Sequence, residues 1–344
     1  MISLLIVNYR SATLAAEAIR TARLASSLPL QVVVVDNSVA AAEAEALRPH
    51  ADRLIVSASN RGYAGGINEG RQACDGDVLI VANPDITFGA GSIDELELAI
   101  REGAAVAGPA LFWDDRYEWM FPPSDVHSGW SRVDELLAGR SPRWARERDR
   151  RRFRQRLAFW SLQRPTRVRA LSGAVLAIQA RTFDDVGGFD ERYPLYFEEN
   201  DFLRRIEERR LRIEYRPAAR CRHLYNQSAA ASVEAAAAYE TSRRRYFEKW
   251  SGPFLARLLA RLERAPQAPE RIFDRGPIEL DRLDVVVEAS PLPGFETAAG
   301  YFPTAARVEV PGEVWESYRG DALYLRAVDR KSGEVLATYA RYKS

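Results

Sequence analysis

Four consecutive valines, Val32–Val35, end abruptly in Asp36. An unbroken β-branched run has no polar face, so it suits a parallel strand buried on both sides. Ile2–Val7 reads the same way, and Leu54–Val56, Val78–Ala82 and Ala104–Ala107 continue the series. Helical patterns fall among them: Ala12 to Ala25, with Ser11 or Thr13 as a cap, then Ile67–Ala73 and Ser92–Arg101. This βαβ succession predicts an α/β fold with a central, mostly parallel sheet. Ligands of such sheets bind beyond the carboxyl ends of the strands. Asn8-Tyr9, Asp36-Asn37 and Asn83-Pro84-Asp85 all fall at those ends and predict one crevice.

The residue types at these ends suggest chemistry. A carboxylate at Asp36 can accept the imide N–H of uracil or thymine, or the N1–H of guanine; it can equally cap the next helix. Tyr9 can stack on a base. The segment Asn60-Arg61-Gly62-Tyr63-Ala64-Gly65-Gly66-Ile67-Asn68 permits close backbone approach and opens a helix whose N-terminus favours anions. It is neither a G-x-G-x-x-G fingerprint nor a P-loop, which argues against dinucleotide and NTPase readings. Pro84 stops a buried strand and presents Asp85 at the rim, as a ligand for a hard divalent cation or as part of an ordinary β-turn.

Farther along, Glu198, Glu199 and Asp201 crowd into four positions after a glycine pair and a run of aromatics. Three such carboxylates repel one another and cost desolvation if buried. They suit a general base with supporting groups, or the acidic first turn of a helix starting near Asn200. Leu171–Ile178 precedes them as a strand, and Arg212–Arg216 follows as another. His223 lies in Cys221-Arg222-His223-Leu224-Tyr225-Asn226-Gln227-Ser228, where a lone histidine is either structural or part of a site.

Between Phe112 and Arg169 the α/β pattern dissolves into tryptophans and arginines. Arg140 to Arg169 holds 12 arginines against Glu147 and Asp149. A helical region, 229–264, ends in a linker at 266–277 marked by Pro266 and Pro269. Residues 278–344 read as a small all-β module, with strands at Asp284–Glu288, Ala306–Val310, Leu323–Val328 and Val335–Arg341 and a hairpin turn at Lys331-Ser332-Gly333. The expected domains are therefore 1–265, carrying the insert at about 112–169, and 278–344.

Two cysteines, Cys74 and Cys221, are too few for a disulfide framework or a thiolate metal site and fit a reducing, cytoplasmic setting. No apolar run approaches the ~20 residues that cross a bilayer. Met1 leads straight into a strand-like run, so no signal peptide is expected.

The ordered motifs VNYRS, VVVVDNS, NRGYAGGIN, NPD, SGAVLAIQARTFDDVGGFDERYPLYFEEND and HLYNQS occupy Met1 to Ser228. Together they resemble the inverting family-2 glycosyltransferases of the GT-A fold, most closely the bacterial rhamnosyltransferase-like members. The resemblance implies an enzyme that moves a sugar from a nucleotide-diphosphate sugar to a hydroxyl of a saccharide or lipid-linked glycan. The donor is of UDP or dTDP type, dTDP-rhamnose included. Tyr9 and Asp36 are expected to hold the base, with Asn60, Arg61, Asn68 and Asn83 on the donor side. Asp85 and His223 are the expected ligands of a divalent cation, Mn2+ or Mg2+. Of the acidic cluster, Glu199 is the expected base and Glu198 and Asp201 its support. Glu199 stands where the family usually has Asp, so this base is one methylene longer.

The arginine-rich insert suits an anionic acceptor such as a lipid diphosphate, or an anionic membrane surface that would place the protein peripherally at the inner face. It equally suits a solvated helix whose arginines pair with acidic groups elsewhere. No nucleic-acid partner is expected, because no recognised binding fold accompanies the charge. Rival readings are a nucleotidyltransferase and a non-catalytic nucleotide-sugar-binding protein.

Overall fold

The computed structural model describes residues 1–122, 124–225, 233–254, 256, 277–320 and 322–342. Two compact units form: Met1–Leu111 with Gln163–Tyr246, and Phe112–Leu162 with Phe247–Ser344.

In chain order the first unit begins β1 (Ile2–Asn8), α1 (Ala12–Leu24), β2 (Leu30–Asp36), α2 (Ala41–Leu47), β3 (Arg53–Val56), α3 (Gly62–Arg71), β4 (Val78–Ala82), β5 (Ile86–Phe88), α4 (Ser92–Arg101) and β6 (Val106–Phe112). After the insert come β7 (Thr166–Arg167), β8 (Val175–Gln179), α7 (Ala180–Val186), α8 (Glu198–Glu208), β9 (Ile213–His223) and α9 (Val233–Ser251). Nine strands make one sheet in the order β3-β2-β1-β4-β8-β6-β9-β5, with β7 beside β9. The expected α/β architecture is present. Pairing is parallel from β3 through β4, then antiparallel at β4–β8, β8–β6, β9–β5 and β9–β7.

Every residue of β1 and β4 is buried, as their unbroken apolar runs require. Each large aliphatic removed from water there contributes about 1.5–3 kcal/mol. On α1, Ala15, Ile19 and Ala22 recur at helical spacing and face this core. Helix α3 starts at Gly62 rather than at the expected Ile67, because its glycines let the helix lie close on the sheet. A Cβ at Gly66 would stand 2.9 Å from both Val7 methyls. Strand β9 runs well past the expected Arg212–Arg216 despite Pro217, and its far end pairs with β5.

The second unit joins α5 (Gly129–Ala138) and α6 (Pro142–Trp160) to the tail elements β10 (Ile278–Glu279), β11 (Val285–Ser290), β12 (Ala299–Tyr301), β13 (Arg307–Val308), α10 (Gly312–Ser317), β14 (Ala322–Asp329) and β15 (Val335–Tyr342). The main tail sheet is antiparallel, β12-β11-β14-β15, with the hairpin turn at Lys331-Ser332-Gly333 as read from sequence. The insert, assigned by sequence to the first domain, packs on this sheet instead. Phe153 and Trp160 bury against Val286 and Val328, flanked by Leu157, Phe302 and Val335. Polar anchors accompany them. Arg156 Nε and Arg326 Nε donate to the two oxygens of fully buried Glu288 at 2.8 and 2.6 Å, and Arg326 also forks onto Asp149.

Most of Phe254–Arg264, nearly all of the linker at 266–277, and Asn226, Gln227 and Ser228 lie outside the described residues. Among the described residues no helix is long and apolar enough to cross a membrane.

Candidate active site

Strands β1 and β2 end level, with Asn8 and Asp36 as register partners. Asn8 Nδ2 donates to Asp36 Oδ1 at 2.9 Å and to Glu43 Oε2 at 2.9 Å, while the Ser38 amide also donates to Asp36 Oδ1 at 3.0 Å. Asp36 is fully buried and its Oδ2 has no partner. A buried acceptor without a donor is costly in a finished core and suits a site that meets a ligand N–H. Tyr9 stands at the rim, 38% exposed, with the Arg10 guanidinium 5.3 Å from its ring centroid.

The glycine-rich segment spends its polar side chains on protein partners within and beyond it. Asn60 Oδ1 accepts the Gly62 amide at 2.9 Å. Arg61 pairs with Glu69 at 3.3 Å and Glu191 at 3.5 Å. Asn68 clasps the loop after α7: its Nδ2 donates to Phe189 O at 2.8 Å and to Glu191 Oε1, and its Oδ1 accepts the Phe189 amide. These side chains hold α3 against the loop leading to the acidic cluster.

Beyond β4, the main chain of Asn83 donates to Ala174 O at 2.9 Å, leaving its half-buried side chain at the strand end. Asp85 is buried, and its Oδ1 lies 3.4 Å from His223 Nε2. The β5–β9 pairing explains the meeting, because Ile86 is the register partner of His223. One carboxylate oxygen and one imidazole nitrogen are suitable donors for Mn2+ or Mg2+, with diphosphate and water oxygens completing the shell. No group of three or more His, Cys, Asp or Glu that could hold a metal occurs among the described residues.

The acidic cluster opens α8, as the alternative reading of its spacing required. Tyr196 and Phe197 precede it with φ of 66° and 69°, a left-handed pair that costs about 1–3 kcal/mol per residue. Phe197 is held there by Tyr239 and Tyr246, each 5.4 Å from its ring. The three carboxylates then diverge. Asp201 is fully buried and bonded to Arg205 Nε at 2.8 Å, and Arg205 also donates to Val186 O and Gly188 O. Glu198 is buried with Oε2 lacking a partner. Burial, and next the charge of Glu199, raises the Glu198 carboxyl well above the ordinary range. Glu199 remains partly exposed, with Oε1 accepting from Asn200 Nδ2 at 2.9 Å. Burial raises its carboxyl too, against the pull of nearby main-chain N–H groups. Its stem fills the space over Gly173, where a Cβ would come 2.6 Å from Glu199 Cγ.

Two tyrosines tie the metal-type pair to the acidic pair. The Tyr63 hydroxyl is buried without a partner. Burial raises it well above the usual phenol range, followed by the charges of Glu198, Glu199 and Asp85. Tyr196 is pushed up to about 12 by burial, with Tyr225, Glu198, Glu199 and Asp85 adding to the shift. Sequence reasoning quoted Tyr63 in its motif without giving it a role. Its place one residue after a helix-opening glycine was the available signal.

The family model described as "Glycosyltransferase like family 2" matches residues 2–245. The N-acetylglucosaminyl-diphospho-decaprenol L-rhamnosyltransferases of Mycobacterium tuberculosis strains CDC 1551 / Oshkosh and ATCC 25618 / H37Rv are each 32% identical over 219 residues, spanning 58% of this chain and 68% of theirs. Among solved structures, the mannosyltransferase PcManGT from Pyrobaculum calidifontis, in complex with GDP-Man and Mn2+, is 13% identical with a TM-score of 0.47 over 76% of this chain and 73% of its own. S. aureus TarS 1–349 in complex with UDP is 14% identical with a TM-score of 0.45 over 76% and 70%.

Proposed function

Because the chain belongs to glycosyltransferase-like family 2 and is a glycosyltransferase, we propose that its strand-end crevice moves a sugar from a UDP- or dTDP-sugar, dTDP-rhamnose foremost, to a hydroxyl of a lipid-linked saccharide, with inversion. The mycobacterial relatives act on an N-acetylglucosaminyl-diphospho-lipid, which supports an acceptor of that class.

The free oxygen of Asp36 accepts the imide N–H of the donor's pyrimidine, and Tyr9 stacks on the ring. Asn60, Arg61 and Asn68 act on the donor side by holding α3 and the following loop in place, and the Asn83 amide contacts the donor directly. Asp85 and His223 hold a divalent cation, which when bound supplies positive charge for the departing diphosphate. Glu199 takes the proton of the acceptor hydroxyl. That oxygen bonds to the anomeric carbon from the face opposite the nucleotide, the bond from that carbon to the diphosphate breaks, and the nucleoside diphosphate leaves. Glu198, whose carboxyl is raised by burial and next by the charge of Glu199, and Asp201, tied to Arg205, support the base.

The observation carrying this reading is the Tyr63 hydroxyl, buried without a partner and sensing Glu198, Glu199 and Asp85 together. Base and metal-type pair thus share one electrostatic neighbourhood around a polar group aimed at a ligand. The test is incubation with UDP-, dTDP- and GDP-sugars, Mn2+ and a short-chain GlcNAc-diphospho-lipid. Nucleoside diphosphate release and a product of opposite anomeric configuration are expected. Release of pyrophosphate, or of nothing with any donor, overturns the reading.

A further inference from the structure

Helix α6 sorts its arginines onto different faces. Arg148 and Arg151 pair with Asp134 at 3.3 and 2.6 Å, Arg152 with Asp125 at 2.7 Å, and Arg156 with Glu288 at 2.8 Å. Arg143, Arg146, Arg150 and Arg154 behave differently. Among the described residues they have no carboxylate partner and no other polar or ring contact. At about 100° per residue, Arg143, Arg150 and Arg154 fall within about 40° of one another, and Arg146 borders them. Glu147 is the single acidic residue on this face. Arg143, Arg146 and Arg154 are exposed, and the stem of Arg150 lies beside Gly333.

The same hairpin carries exposed apolar side chains on its other helix and just before it. Trp130 on α5 is 66% exposed, with Leu137 two turns on and Val126 just before the helix also exposed. The two helices are locked together at Asp134, which accepts Trp144 Nε1 at 2.8 Å as well as its two arginines. The hairpin is therefore a rigid presentation of unpaired guanidinium groups and a large open indole.

We propose that the α5–α6 hairpin is a docking surface for an anionic lipid bilayer, with Arg143, Arg146, Arg150 and Arg154 facing the headgroups and Trp130 entering the interface. Charge complementarity selects the occupant's sign. The exposed indole selects a bilayer over a soluble polyanion, because tryptophan favours the headgroup level, where its apolar body and N–H are both satisfied. Each arginine close to an anionic surface raises partitioning about fivefold, so the set, less Glu147, is expected to contribute about a hundredfold. This inference stands independently of the transferase reading.

Sedimentation with vesicles of phosphatidylcholine alone, and of phosphatidylcholine with phosphatidylglycerol, tests it. The full chain is expected to bind the anionic vesicles at low salt, to leave them as salt shortens the electrostatic range, and to ignore the neutral ones. The joint change R143Q/R146Q/R150Q/R154Q, which leaves Glu147 in place, is expected to weaken binding about six-hundredfold, and W130A about tenfold, with melting temperatures unchanged. Absence of binding to anionic vesicles at low salt overturns the proposal, as does equal binding by the fourfold variant. Preference for single-stranded RNA over the vesicles also overturns it. Nucleoside diphosphate release measured on the same samples reports separately on the transferase reading.

Discussion

His223 Nε2 lies 3.4 Å from Asp85 Oδ1, brought there by the register of a three-residue strand, Ile86–Phe88, against the end of β9. The two residues lie far apart in sequence. The pair exists only because β9 continues beyond Pro217 to reach the sheet edge.

If this pair holds a divalent cation, Asp85→Asn and His223→Ala weaken binding of the nucleoside diphosphate in the presence of Mn2+ by about tenfold or more, while leaving the metal-free affinity alone. Calorimetric titration with and without chelator measures both. Equal affinity of wild type and variants in Mn2+ removes these residues from the metal site.

Glu199→Gln is expected to lower kcat by about a hundredfold or more with donor affinity within about twofold. Asp201→Asn is expected to act differently, since it breaks a buried ion pair with Arg205; losses of about 3–5 kcal/mol in stability accompany such changes. Full turnover in Glu199→Gln together with a folded, dead Asp201→Asn would falsify the assignment of the base.

Gly173→Ala tests the same carboxylate without touching it. The added methyl meets Glu199 Cγ at 2.6 Å, so the side chain must leave its place. A fall in kcat of at least about tenfold is expected, with the chain still folded by circular dichroism. Unchanged kcat indicates that the position of Glu199 is immaterial.

Burial raises the Glu198 and Glu199 carboxyls above the ordinary glutamate value of 4.5 that they keep in the unfolded chain. Above that pH, and up to the raised native values, the native state binds more protons than the unfolded one, so stability falls as pH rises. Below it both states are protonated and the penalty disappears. Glu198→Gln removes one of the two ionisations and is expected to raise Tm at pH 7.5, by about 2–4 °C for each kcal/mol gained. The gain shrinks toward zero near pH 4. A gain of the same size at both pH values, or a lower Tm at pH 7.5, refutes the burial argument.

In the second unit, Glu288→Gln leaves Arg156 and Arg326 buried together without the carboxylate they share. A loss of about 3–5 kcal/mol is expected in denaturant titration. Because Asp149 still faces Arg326, the charge left stranded is Arg156, and Arg156→Met on the Glu288→Gln background is expected to recover part of the loss. No loss in the single variant shows that the cluster is not an anchor.

The parallel half of the sheet was legible because β1, β2 and β4 are buried almost throughout, and burial on both faces leaves an unmistakable run of aliphatics. Strand ends were legible for the same reason: a polar residue after such a run is conspicuous. The α5–α6 hairpin was not read, since arginines dominate α6 and hide its apolar stripe of Phe153, Leu157 and Trp160. Its local marks were present, in the Ser128–Ser131 capping box and in Ser141 capping a helix that opens with Pro142. The sequence showed only Arg212–Arg216 of β9, and long-range pairing with β5 carries the strand on through Pro217 to His223. The acidic cluster was found by composition, and its spacing held a further signal: only Asp201 has an arginine four residues on, Arg205, which locks it while Glu199 stays reachable. In the glycine-rich segment, sequence suggested ligand contacts for Asn68 where the structure shows a clasp on the loop at Phe189.

Arg156 and Arg326 meet on one glutamate although a long stretch of chain, including the acidic cluster, lies between them. The insert and the tail therefore fold as one piece, split in sequence by the other unit. A protein cut at residue 265 to isolate the transferase would keep α6 with its cationic side chains and an apolar flank stripped of their cover, an invitation to aggregate. Removing the tail requires removing 112–162 with it.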